Sequence, residues 1–253
     1  MSFVVCDIIG VPINNVNMNE AVSLALLYMD EKKEDTKTIF TPNPEFIMNA
    51  LKDEEFMQIL NKSSLNIADG IGVVIASKIL GYPLRERVAG YDLVQNLFSY
   101  MRSKEKTVYF LGATEEVILA AKENIKKKYR GLKVVGVHNG YFSENEEYLI
   151  IDEINELRPD LLLVGLGSPR QEKWIFNNKD KIDTKVMIGV GGSFDVMAGF
   201  IKRAPKFFIN LNLEWFYRLI TQPTRFKRMI KLPLFLFEVL KYKVKGAKNE
   251  PKR

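Results

Sequence analysis

Between residues 38 and 190, short β-branched runs alternate with longer stretches of helical periodicity, and this alternation restricts the chain more than any other feature. Parallel strands cannot be joined by tight hairpins; each return needs a crossover of a dozen or more residues, normally a helix. The runs Thr38–Thr41, Leu65–Ala68, Thr107–Leu111, Lys133–Val137, Leu161–Gly165 and Lys185–Val190 read as such strands, preceded by a hairpin around Val4–Asn14. Helices are expected near 19–32, 44–61, 70–80, 90–103, 114–129, 144–157 and 168–178. The expected class is α/β: a Rossmann-like parallel sheet sandwiched by helices over residues 1–195, followed by a basic amphipathic helical appendage over residues 196–253. With 253 residues, 47% of them hydrophobic, the core needs no covalent staple, and the single cysteine, Cys6, allows no disulfide within the chain.

Charge divides the chain unevenly. Residues 196–253 hold 14 Lys/Arg against 3 Asp/Glu, a balance of +11, whereas residues 1–195 hold 23 against 28, a balance of −5. A basic segment of that kind meets phosphate, on nucleic acid or on an anionic membrane. Here Phe226, Met229, Ile230, Leu234, Phe235 and Leu236 interleave with Arg225, Lys227, Arg228, Lys231 and Lys241, the composition of an interfacial helix on anionic lipid rather than of a nucleic-acid tail. For the earlier stretch, Leu213, Trp215, Phe216, Leu219 and Ile220 are expected to pack on the body. No run reaches the ~20 apolar residues of a spanning helix. The start MSFVVCDIIG has neither the basic flank nor the cleavage site of a secretory signal, so the expected location is cytoplasmic, peripheral on the inner face of the membrane.

In parallel α/β sheets ligands bind beyond the carboxyl ends of strands, so the residues just after each strand matter most. Those ends carry Thr41-Pro42-Asn43, Asp69-Gly70, Gly112-Ala113-Thr114, Asn139-Gly140-Tyr141, the run Gly165 to Glu172, and Gly191-Gly192 followed by Asp195. Asp69 reads either as the N-cap of the following helix or as a base. Arg85 and Arg87 read as a diphosphate clamp or as a solvated surface pair. The run from Gly165 through Gln171 opens a helix with proline in its first turn, a natural anion site or simply a good helix start. The Gly191-Gly192 turn lets backbone approach a ligand closely, or is an ordinary tight turn.

Several absences narrow the chemistry. The chain has no G-x-x-x-x-G-K-[ST] and no G-x-G-x-x-G, which weakens NTPase and dinucleotide-dependent oxidoreductase readings. It has no Asp-x-Asp and no His/Cys ligand cluster, so a metal-free, cofactor-free mechanism is favoured, with arginine carrying the leaving-group charge. The one histidine, His138, is assigned no role.

Taken in order, TPNPEF (41–46), DGIGVV (69–74), RVAGYDL (87–93), FLGA (110–113), GYF (140–142), VGLGSPRQEKW (164–174), GVGGSFDVMAG (189–199), RAP (203–205) and LEWFYRL (213–219) resemble the WecG/TagA/CpsF glycosyltransferase family over nearly the whole chain. Asn212 stands where the family pattern leads one to expect glycine. The resemblance implies an inverting transfer of N-acetylmannosamine from UDP-N-acetylmannosamine to the 4-hydroxyl of N-acetylglucosamine on undecaprenyl diphosphate, a step in building the wall teichoic acid linkage unit. It implies Asp69 as general base, Thr41 and Asn43 lining the acceptor pocket, and Gln171 touching sugar or diphosphate. It also implies that Tyr141, Gly191, Gly192 and Asp195 hold the nucleotide, with Arg87, Arg218, Arg225 and Arg228 closing over the diphosphate. N-acetylmannosaminuronic acid or glucose are alternative donor sugars. A nucleic-acid-binding module built on the basic tail is the rival from another class. A homo-oligomer, formed through a surface bared when the tail is displaced, stays open.

Overall fold

The computed structural model describes residues 4–31, 35–221 and 231–249. A hairpin of β1 (Val5–Ile8) and β2 (Val11–Asn14) leads into α1 (Met18–Asp30), β3 (Lys37–Phe40), α2 (Pro44–Ala50), α3 (Glu54–Asn61), β4 (Leu65–Asn66), α4 (Ile71–Leu80) and α5 (Gly90–Met101). Then follow β5 (Thr107–Gly112), α6 (Glu115–Lys128), β6 (Lys133–His138), α7 (Glu144–Leu157), β7 (Leu161–Gly165), α8 (Arg170–Asn178), β8 (Val186–Gly189) and α9 (Ser193–Ala198). The chain continues through α10 (Lys206–Asn210), α11 (Glu214–Thr221) and α12 (Lys231–Asn249). Six strands form one parallel sheet in the order β4-β3-β8-β7-β5-β6. The expected strands and the hairpin are all present.

The alternation of side chains along each strand builds two cores, one per face. Phe40, Tyr109, Leu111, Leu162 and Val164 face a layer made by the hairpin with α2, α3, α4, α7, α8 and α12. Ile39, Val108, Phe110, Leu161 and Leu163 face α1, α5, α6 and α9. The β4 edge is covered, because Asn66 N–H donates to Asn14 Oδ1 at 2.8 Å and Asn66 Nδ2 donates to Pro12 O at 2.9 Å, which ties the hairpin alongside it.

Local chemistry sets the helix ends. Asn17 with Glu20 and Ser143 with Glu146 form capping boxes on α1 and α7. The single helix expected over 44–61 is two: Asp53 Oδ1 accepts from Phe56 N at 3.0 Å, starting α3 afresh. Capping by a short acidic side chain requires the capping residue itself to leave helical geometry, and Asp53 does so at φ −134°.

Residue 195 lies within α9, whose Phe194 and Met197 are buried in the second core and whose end is tied to α6 through Asn124 Nδ2, donating to Ala198 O at 2.9 Å. The body therefore runs on to Ala198. Beyond it, polar ties hold the later segments to the body, among them Tyr242 Oη of α12, which donates to Asp7 Oδ1 at 3.4 Å. Arg203 clasps both carboxylate oxygens of Asp92 at 2.5 Å and lies 4.7 Å from the centre of the Tyr91 ring. Arg87 pairs with Glu214 at 3.3 Å. Lys231 Nζ donates to Asn49 Oδ1 at 2.9 Å and Glu45 Oε1 at 3.3 Å.

The apolar expectation for the tail is partly reversed. Phe216 and Ile220, expected to pack on the body, are exposed. Phe235, placed with the lipid-facing residues, is fully buried together with Val239 against α2 and α4. Burial of such side chains stabilises the docked helix by about 1.5–3 kcal/mol each. No helix among the described residues is long and apolar enough to cross a bilayer.

Candidate active site

The ladder between β3 and β4 continues past the strands: Ile67 N–H donates to Phe40 O and Asp69 N–H to Pro42 O, both at 3.0 Å. Thr41, Asn43 and Asp69 are thereby laid side by side at the carboxyl edge. Val88 N–H donates to Ala68 O at 2.9 Å, which brings the segment between α4 and α5, with Arg87, onto the same edge.

Asp69 does not cap the helix that follows it. The N-cap position of α4 is Gly70, which has no capping side chain, and Asp69 Oδ2 instead accepts from Gly90 N at 3.3 Å, the first amide of α5. The Ala89 preceding that helix has no polar side chain to cap it, so the half-buried carboxylate of Asp69 sits at an otherwise uncapped helix N-terminus, where amide and macrodipole both favour negative charge. Only a residue without a side chain fits at Gly90, since a Cβ there would stand 2.8 Å from Thr41 Cγ2. Thr41, Gly90 and Asp69 thus form one close cluster. Asn43 caps α2, its Oδ1 accepting from Phe46 N at 3.0 Å, so the group it can offer a ligand is its NH2.

The two arginines separate. Arg85 is a surface partner of Glu20 at 2.6 Å. Arg87 is 11% exposed and its partner Glu214, on α11, equally so. The Arg87 guanidinium is therefore held by Glu214 of the appendage. Of the tail arginines, Arg218 falls on α11, whereas Arg225 and Arg228 lie outside the described residues.

At the middle of the sheet, Gly191 adopts φ +50° in the turn between β8 and α9. Gln171 braces that turn: it is 3% exposed, its Oε1 accepts from Gly191 N at 3.0 Å, and its Nε2 donates to Glu172 Oε1. Both ends of this amide are engaged inside the protein, and it meets the site through the turn. Asp195 is half-buried in the first turn of α9, with Gly192 beside its carboxylate. Tyr141 is exposed after β6, the opposite edge strand, five strand spacings or about 24 Å from β4. The structure brings Thr41, Asn43, Asp69 and Arg87 together, sets Gln171, Gly191, Gly192 and Asp195 at the centre, and does not bring Tyr141 to the Asp69 cluster.

The model of the glycosyl transferase WecG/TagA/CpsF family matches residues 6–249. The chain belongs to this family. It is similar to the N-acetylglucosaminyldiphosphoundecaprenol N-acetyl-beta-D-mannosaminyltransferases of Bacillus spizizenii, at 39% identity over 89% of this chain and 86% of that one, and of Bacillus subtilis, at 39% over 92% and 90%. The Staphylococcus aureus protein of the same name is 34% identical over 96% of this chain and 94% of its own. In this WecG/TagA/CpsF member, the segments 41–46, 69–74, 87–93, 164–174 and 189–199 all gather at the carboxyl edge of the sheet.

Sequence reasoning missed three features of the site: the α5 amide on Asp69, the Glu214 partner of Arg87, and Glu172. Glu172 is fully buried, with the side chains of Gln171 and Ser168 beside its carboxyl. Burial pushes its carboxyl up to about 7. A carboxyl whose folded value exceeds the unfolded one, about 4.3, contributes stability that is complete below the unfolded value and lost as pH rises through the folded one. Glu172→Gln has no charge to lose. Its melting temperature is expected to gain on wild type between pH 5 and pH 8, measured by scanning calorimetry; a difference constant across that range would mean that Glu172 ionises normally.

Proposed function

We propose that the protein transfers N-acetylmannosamine from UDP-N-acetylmannosamine to the 4-hydroxyl of N-acetylglucosaminyl-diphospho-undecaprenol, with inversion, as a step in wall teichoic acid linkage-unit synthesis. The relatives' shared name over nearly their whole length supports the reaction. The observation that carries the mechanism is the Asp69 carboxylate held by the α5 amide between Thr41, Asn43 and Arg87. Asp69 takes the proton of the acceptor hydroxyl, whose oxygen bonds to the anomeric carbon as the bond from that carbon to UDP breaks and its electron pair leaves on the diphosphate. Arg87 and the tail arginines Arg218, Arg225 and Arg228 stabilise the departing charge, while the bare Gly191-Gly192 turn lets the nucleotide approach the backbone. Thr41 and Asn43 position the acceptor sugar. Asp195 and, towards the far edge, Tyr141 hold the nucleotide, so the donor lies along the carboxyl edge with its sugar towards β3.

The protein acts as a peripheral enzyme on the inner face of the membrane. Leu234, Phe237, Leu240 and Val244 on α12 are exposed and share one helix face, turned away from Phe235 and Val239. Lys241, Lys243 and Lys245 accompany this apolar face, which supports contact with anionic lipid. The test of the reaction is UDP release from UDP-N-acetylmannosamine with and without a short-chain polyprenyl-diphosphate-linked N-acetylglucosamine, in EDTA. Release that depends on the acceptor and persists with chelator is expected. Release equal without acceptor, or only with a different UDP-sugar, would overturn the assignment.

A further inference from the structure

We infer that Glu172 is a positioning residue that fixes the amide of Gln171 in the one orientation that presents an oxygen to Gly191, and so sets the shape of the Gly191-Gly192 turn. On α8 the buried positions Gln171, Trp174, Ile175 and Asn178 make an ordinary inward stripe, but its first turn buries two polar side chains, Gln171 and Glu172. A fully buried carboxyl is a cost that leucine at the same place would not carry, so its presence calls for a role. An amide side chain has a donor end and an acceptor end and can be turned over. Glu172 Oε1 accepts from the Nε2 end, which leaves the Oε1 end for Gly191 N–H at 3.0 Å. The pair is seated on bare backbone: a Cβ at Gly189, the last residue of β8, would stand 2.9 Å from Gln171 Nε2 and 3.1 Å from Glu172 Oε1. Helix α8 and the end of β8 are thereby locked together directly under the turn.

The consequence for catalysis rests on the reading of that turn as part of the donor site. Glu172 itself touches no substrate. Its loss acts through Gln171 and the turn, and falls on donor KM more than on kcat, because Asp69 and its cluster stand on other strands.

Three full-length proteins decide it: wild type, Glu172→Leu, and Glu172→Gln, whose own Oε1 can accept the same bond. Two readouts are taken, hydrogen–deuterium exchange of the Gly191 amide in the free protein and steady-state kinetics with UDP-N-acetylmannosamine. Glu172→Leu is expected to exchange Gly191 about 5- to 10-fold faster and to raise donor KM by a similar factor, with kcat within about 3-fold. Glu172→Gln is expected to restore both. Unchanged Gly191 exchange in Glu172→Leu, or Glu172→Gln as impaired as Glu172→Leu, overturns the inference. Should Glu172→Leu fail to fold, Glu172→Ala, which equally lacks the acceptor for Gln171 Nε2, replaces it: faster Gly191 exchange that Glu172→Gln does not share supports the inference, and unchanged exchange overturns it. A wild type that does not turn over the UDP-sugar sinks the proposed reaction, while the exchange comparison still decides the role of Glu172.

Discussion

Replacement of Asp69 by asparagine is expected to lower kcat for acceptor-dependent UDP release by roughly 10²- to 10⁴-fold, the usual contribution of a positioned general base. Asparagine keeps the volume of the side chain and an oxygen that can still accept from Gly90 N, so the contact that seats α5 survives and the melting temperature should move by no more than a few degrees. What asparagine cannot do is take up a proton at neutral pH. The substitution therefore separates the two roles that a carboxylate at this position can play. Donor KM should change little, because the residues proposed to hold the nucleotide follow β8 and β6, away from Asp69. Steady-state kinetics and a thermal melt on the same preparation check it. If turnover stays within about threefold of wild type, below any ordinary general-base effect, the base lies elsewhere and Asp69 is an anchor for α5.

The sheet was legible because its strands are short apolar runs between turn residues, and parallel order forces helices between them. The break at Asp53 had a readable signal, an aspartate followed by Glu54 and Glu55, but one long apolar period across 44–61 masked it. Clustering of Thr41, Asn43 and Asp69 was accessible from their places just after two strands. Strand order was not: no local pattern says that β6 lies at the opposite edge from β4, so the distance of Tyr141 from Asp69 had to come from the fold. Nor does any spacing announce that Glu214 will meet Arg87 across 127 residues. Glutamate is seldom buried, so nothing marked Glu172 out from its neighbours. In α12 the difficulty was different. Its apolar residues surround most of the helix, and periodicity cannot then choose the face that packs on the body.

That second apolar face leads to the other large expected effect. Leu234, Phe237 and Leu240 recur at a three-residue spacing and are exposed, while Phe235 and Val239 lock the other side of the helix to α2 and α4. A helix anchored by one face and apolar on the other can enter a lipid interface without leaving the body, and its first residue, Lys231, is clasped to α2 immediately after Asn43 and Pro44. Docking of this face would then hold the acceptor pocket at the bilayer surface, where a polyprenyl-linked sugar is confined. Replacing Leu234, Phe237 and Leu240 together by serine leaves the buried Phe235 and Val239 in place, so melting temperature should fall by no more than a few degrees. At about 25 cal/mol per Å² of apolar area, even partial immersion of three such side chains is worth a few kcal/mol, and binding to vesicles containing anionic lipid should fall on the order of 10²-fold. Turnover of an acceptor presented in those vesicles should fall with it, whereas turnover of a short-chain acceptor free in solution should not. Vesicle co-sedimentation alongside the two assays separates the cases. Unchanged vesicle binding would place the membrane contact on another surface, and equal loss with both acceptors would mean that this face of α12 shapes the active site itself.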